Sequence, residues 1–210
     1  MADPICVAVF GRRGFGKSTL VQSLTRGAPR AVAYDPVGEY HRALGWARAD
    51  TVADVVAHFK THWRHGFRVA LTTRGDHIAS LHRLSLFLWE AQRHYETGAD
   101  RRPLVLVVEE MNLSVPNHAI AAYARGFLSL VLQGRHRGVG IVGVSQRPSL
   151  VSADFRSMVE ARYTFGLGEP SDALAFPREY RETILTLPPH HYLKFGGGRV
   201  ETGQNRRRAG

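Results

Sequence analysis

Cysteine is nearly absent: Cys6 is the one cysteine in 210 residues, which excludes an intramolecular disulfide. It falls in an apolar stretch expected to form a core strand, so inert burial is the reading rather than a reactive thiol. Long apolar runs are missing too. The longest, around Leu104 to Val108, falls far short of the roughly 18 residues that cross a bilayer and suits a buried strand. The opening MADPICVAVF lacks a basic region and a small-residue cleavage pattern, so no signal peptide is read and the chain is expected to be intracellular. Lysine is scarce: of 28 basic residues only Lys17, Lys60 and Lys194 are lysine, the other 25 being arginine. Genome composition explains that bias most simply. It also sets Lys17 apart, because a phosphate site wants a compact ammonium on a flexible stem. Repeats and an interdomain linker are absent as well. One domain is therefore expected over residues 1–203, with a basic flexible tail over 204–210.

The composition is that of a globular protein, with 44% hydrophobic and 22% charged residues. The net charge of +10 suits a polyanionic partner, although it also serves plain solubility. Apolar runs alternate with helical periodicity, which predicts an α/β domain with a mainly parallel sheet. Strands are expected at Ile5 to Phe10, Arg30 to Asp35, Phe67 to Thr73, Pro103 to Glu110 and Gly138 to Gln146. Further strands are expected in ARYTFGL and in a C-terminal hairpin turning at Gly196 to Gly198. Helices are expected from Lys17 to Thr25 and after a capping box at Thr51 and Asp54. Two longer ones are expected from His77 to Tyr95 and from Asn117 to Gln133, the last presenting Ile120, Tyr123, Ala124, Phe127, Leu128 and Val131.

The stretch GRRGFGKST, Gly11 to Thr19, has the spacing G-x-x-x-x-G-K-S between an apolar strand and an amphipathic helix. Gly11, Gly14 and Gly16 let backbone N–H groups converge on phosphate oxygens, and the helix start adds a positive dipole end. The whole loop, with Arg12, Arg13, Phe15 and Thr19, is read as the ATP-binding segment. Lys17 is assigned to the β- and γ-phosphates and Ser18 to Mg²⁺. Glu109 and Glu110 end the strongest strand. Glu109 is assigned to the magnesium shell and Glu110 to the attacking water, although the reverse division also fits. Gln146, at the tip of the next strand in VGVSQRP, can touch the γ-phosphate. His58, His62 and His65 share a helix face at metal-binding intervals but bring no carboxylate or cysteine, so a solvated face is expected. Asp35 and Glu39 in YDPVGEY fit either a turn or a guiding role in the loop after the second strand.

Taken together, GRRGFGKST, YDPVGEY, VVEE and GRHRGVGIVGVSQRP resemble the FtsK/HerA superfamily of DNA-pumping ATPases over Ile5 to Phe155. The resemblance implies a three-layer RecA-like P-loop NTPase of the additional-strand-catalytic-glutamate type, assembled as a homohexameric ring around double-stranded DNA. Glu109 departs from the usual aspartate. The chain is almost only the motor core, which resembles the compact genome-packaging ATPases of membrane-containing phages and viruses. A capsid vertex or virion membrane protein is then an expected partner, and the host cytoplasm or the virion the expected location. Such rings complete each site with a neighbour's arginine; Arg135 is the first choice, Arg137 the second and Arg147 the third. Arg74 and Arg206 to Arg208 are candidates for DNA phosphates, and equally for solvated loop and tail. Other superfamily members that serve secretion or assembly, a small monomeric P-loop kinase and a regulatory nucleotide-binding module are the alternatives.

Overall fold

The computed structural model describes residues 4–117 and 124–205. Nine strands form one sheet: β1 Cys6–Phe10, β2 Arg30–Tyr34, β3 Ala47–Ala49, β4 Phe67–Leu71, β5 Leu104–Val108, β6 Val139–Ser145, β7 Ala161–Thr164, β8 His191–Gly196 and β9 Arg199–Gln204. Their order is β3-β4-β2-β5-β6-β1-β7-β8-β9. The first seven in that order pair in parallel, and β8 and β9 complete the sheet as an antiparallel hairpin. Gly197 and Gly198, both at positive φ (59° and 73°), make its turn, as a tight hairpin requires.

Strand alternation builds two cores and hence three layers. Ala8, Phe10, Val32, Tyr34, Leu106 and Val108 face one way. They meet helices α3 (Val52–His62), α4 (His77–Ala91) and α7 (Arg125–Gln133) through Val55, Phe59, Leu81, Leu84, Leu88, Phe127 and Leu130. Val7, Val9, Ala31, Ala33, Ala70 and Val107 face the other way, where α1 (Lys17–Thr25) and α2 (Glu39–Leu44) bring Leu20, Val21 and Tyr40. Small residues on this second face let α1 and α2 lie close to the sheet. The fold is therefore the expected three-layer α/β architecture with a mainly parallel sheet and a C-terminal hairpin.

Several elements differ from expectation. The helix from His77 stops at Ala91, and a separate turn, α5 (Arg93–Glu96), follows. Gln92 is the break, because its buried amide accepts from Arg30 and donates to the carbonyls of Arg102 and Gly138. α7 starts at Arg125, with Ile120 and Tyr123 outside the described residues. α2, β3 and the one-turn helix α6 (Met111–Ser114) were not anticipated. Neither were α8 (Ala153–Met158), α9 (Pro170–Ala173) and α10 (Arg181–Thr186). The expected capping box is present: Thr51 Oγ1 accepts from Asp54 N while Asp54 accepts from Thr51 N. β9 runs through Gln204, Asn205 is buried, and residues 206–210 lie outside the described residues.

Candidate nucleotide site

Because the first seven strands run parallel, their C-terminal ends gather at one rim of the sheet, the usual place for a ligand in such folds. β1 pairs with β6 from Cys6↔Ile141 to Phe10↔Ser145, so the loop after Phe10 opens beside Ser145 and Gln146. A cavity of about 610 Å³, large enough for a nucleotide, lies at this rim. Its lining includes Arg13, Gly14, Gly16, Lys17, Ser18 and Thr19 of the loop, Asp35, Glu39 and Arg42 after β2, Glu109 and Glu110 after β5, and Gln146 and His190. Arg13 and His190, 177 positions apart in the chain, are thus brought to one cleft.

The loop takes its shape from glycine. Gly11, Gly14 and Gly16 have φ of 147°, 80° and 103°, values that side chains resist. At Gly11 a β-carbon would also lie 2.6 Å from Phe165 Cβ. Lys17 Nζ donates to the carbonyls of Gly11 (2.8 Å) and Arg12 (3.1 Å), which holds the ammonium under the loop. Burial lowers its pKa, while Glu109, Glu110 and Glu39 oppose that shift.

The carboxylates divide by environment. Glu109 is buried and accepts from the Tyr40 hydroxyl at 2.8 Å. Burial raises its pKa to about 7, against the pull of Tyr40 and Lys17 in the other direction. Glu110 is half-buried, accepts from Gln146 Nε2 at 2.8 Å and sits at φ 44°. That left-handed conformation costs a non-glycine residue about 1–3 kcal/mol and is typical of functional positions. Asp35 is a turn-former, accepting from the N–H groups of Gly38 (2.9 Å) and Tyr40 (2.8 Å). Glu39, which that turn presents, accepts from Ser18 Oγ at 3.0 Å. The motif thus splits into a structural aspartate and a glutamate that reaches the phosphate loop.

The remaining loop positions separate. Arg13 lines the cavity, whereas the Arg12 guanidinium lies over the Phe15 ring at 5.6 Å and close to Gly168. Phe15 packs on Gly166 and contributes backbone: its carbonyl accepts from His190 N at 3.0 Å. Arg135 is exposed and Arg137 half-buried, both before β6 and therefore at the opposite rim from Gln146, roughly 20 Å away at about 3.3 Å per strand residue. Arg137 pairs with Glu96 (3.1 Å) and lies over Trp89 (4.6 Å), and Arg147 pairs with Asp172 (2.6 Å).

His58 and His62 stack at 4.2 Å. Among the described residues no group of three or more histidine, cysteine, aspartate or glutamate side chains is disposed to hold a metal. Burial pushes the Cys6 thiol up to about 12, as an inert thiol requires. His190 and Asn205 escaped sequence reasoning. Both reach the loop from the far C-terminus, and the only clue in the sequence was their polarity beside a hairpin.

No protein-family model and no curated protein matches the sequence. Solved structures do match. The genome packaging NTPase B204 of Sulfolobus turreted icosahedral virus 2, in complex with AMPPCP, superposes with a TM-score of 0.74 over 97% of this chain and 98% of that one, at 17% identity. This chain shares the fold of that packaging NTPase. The pCW3 conjugation coupling protein TcpA follows at 0.62, covering 96% of this chain and 60% of that one at 15% identity. VirB4 of Thermoanaerobacter pseudethanolicus follows at 0.61, covering 97% and 90% at 12% identity. At such identities the likeness establishes the fold, and it agrees with the resemblance read from the motifs. Among the described residues no helix is long and apolar enough to cross a membrane.

Proposed function

We propose that this chain is an ATPase that translocates double-stranded DNA, acting as the genome-packaging motor of a virus or phage. The observation that carries the reading is the hydrogen bond from Gln146 to Glu110, set in the same cleft as a phosphate loop whose lysine is held in place. In this reading Lys17 and the loop amides hold the β- and γ-phosphates. Glu110, oriented by Gln146, takes a proton from a water whose oxygen attacks the γ-phosphorus, while the bond to the β–γ bridging oxygen breaks. Near-complete coverage of a packaging NTPase, in both directions, favours packaging over the conjugation-coupling neighbour, of which the chain spans only 60%.

The residues fit a magnesium ion. Asp35, Glu39, Glu109 and Glu110 face one cavity against Arg13, Lys17 and Arg42, a balance that repels a bare triphosphate. Ser18 and Glu39, already joined, would hold the ion, with Glu109 behind them. When bound, Mg²⁺ neutralises phosphate charge and keeps most of its water shell, so few protein ligands are needed. This assignment shifts the leading carboxylate from Glu109 to Glu39.

Assembly follows from the same reading. The chain acts as a homohexameric ring, with Arg135 reaching a neighbour's site, since its distance excludes its own. DNA is held through backbone phosphates without sequence preference, consistent with a net charge of +10. A capsid vertex or virion membrane protein anchors the ring, in the host cytoplasm or the virion.

The test is turnover with and without double-stranded DNA. DNA stimulates the wild type, Lys17→Ala abolishes hydrolysis, and Glu110→Gln binds ATP but turns over at least about 100-fold more slowly. Rapid phosphate transfer to a small acceptor, indifferent to DNA and carried out by a monomer, would refute the motor.

A further inference from the structure

One feature of the cavity has no part in phosphate chemistry. His190 lines it beside Gly16, with Nδ1 only 3.0 Å from where a Gly16 β-carbon would stand. Its backbone is left-handed, φ 69°, a conformation that glycine adopts freely and a β-carbon resists. The strain is locked from both sides. His190 N donates to Phe15 O (3.0 Å), and its carbonyl accepts from Asn205 N (2.8 Å). Asn205 Nδ2 donates in turn to Gly16 O at 2.7 Å. The C-terminal hairpin is therefore pinned to the phosphate loop, and the pin holds an imidazole over the loop where a glycine would satisfy the backbone more easily.

The position in the sheet says what the ring faces. β1 stands between β6 and β7. Glu109, Glu110 and Gln146, which define the reacting end of the ligand, lie on the β5–β6 side. His190 and Asn205 lie on the β7–β8–β9 side. A nucleotide whose γ-phosphate points at Glu110 must lead its α-phosphate and nucleoside the other way, past Thr19 and Gly16 towards His190. We infer that His190 is the nucleoside-recognising residue of this site, its ring stacking on the base, and that Asn205 positions it. The inference rests on the nucleotide-site reading above and adds the end of the ligand that the phosphate loop does not recognise.

The experiment is calorimetric titration, with Mg²⁺, of ATP and of inorganic tripolyphosphate into the wild type, His190→Gly and His190→Phe. Glycine relieves the positive φ, so this variant keeps its fold and its melting temperature does not fall. ATP affinity drops about tenfold in His190→Gly, the scale of one base–aromatic stack, while tripolyphosphate affinity stays within about twofold. His190→Phe retains most of the ATP affinity. Unchanged ATP affinity in His190→Gly would overturn the inference. An equal loss for both ligands would overturn it too, by making His190 a prop for the loop. A wild type that binds neither ligand, although folded, would instead overturn the nucleotide site itself and with it this role.

Discussion

Strands β2 and β5 bury charge at both ends, and the two ends are opposites. At the N-terminal rim Arg30 is fully buried with every direction answered. Its guanidinium donates to Asp100 (2.6 Å), the Gln92 side chain and the carbonyls of Trp63 and Arg102, and lies 3.4 Å over the Trp63 ring. Asp100 is drawn well below the ordinary carboxylate range, first by Arg102 and then by Arg30. At the C-terminal rim four carboxylates converge on three cations around an open cavity, and burial pushes Glu109 among them up rather than down. The two charged clusters thus carry opposite electrostatic signatures. A network closed on itself is architecture; one left with an excess of like charge awaits a ligand of the other sign.

The largest stability effect belongs to the closed end. Arg30→Ala leaves the acceptors of Gln92, Trp63 and Asp100 short of a donor and opens a cavity beneath Trp63. It should cost about 3–5 kcal/mol in urea unfolding. ATP affinity, measured where the variant is still folded, should not change. A parallel loss of affinity would mean that the two rims are coupled through β2, and the contrast between them would fail.

The open end should respond to pH in the reverse sense. Glu109 titrates at about 7 when folded against 4.5 for an ordinary glutamate, because burial penalises its charge. Between those values the folded chain keeps a proton that the unfolded chain has released. Stability contributed by the protonated form is therefore complete below pH 4.5 and lost as pH rises through 7. Glu109→Gln keeps an acceptor for Tyr40 and carries no charge. It should flatten that slope and stabilise the nucleotide-free protein at pH 8 by on the order of 3 kcal/mol. Identical pH profiles of melting temperature for variant and wild type would show that Glu109 is already relieved of its burial.

Legibility in the sequence followed the range of the interactions. The phosphate loop is contiguous, and its glycines announce their own backbone, so the spacing was sufficient. The parallel core was readable because alternation within a strand is local. Asp35 and Glu39 stood as a pair with two readings. The turn explains Asp35, whereas Glu39 acquires its role from Ser18, 21 residues earlier. Gln92 breaks a helix for the sake of Arg30, 62 residues away, and Asn205 holds Gly16 across 189 residues. Glu110 and His190 are harder still. Positive φ is normally signalled by glycine, and here it is imposed on a glutamate and a histidine by contacts that exist only in the fold.

The smallest expected effect discriminates between the arginines of the quiet rim. Arg137 joins Glu96, itself 57% exposed, and covers Trp89, so Arg137→Ala should lower stability by about 1 kcal/mol or less. Arg135 is exposed beside it, and Arg135→Ala should leave the melting temperature of an isolated subunit unchanged. Turnover in the proposed ring separates the two. If Arg135 serves a neighbour, mixing Arg135→Ala with Lys17→Ala subunits restores hydrolysis, because an intact loop then meets an intact arginine at some interfaces. A mixture as inactive as its parents, with Arg137→Ala behaving identically, would return both arginines to the closed architecture of that rim. The proposed motor would then have to draw its second cation from elsewhere, with Arg13, already in the cavity, the first to try.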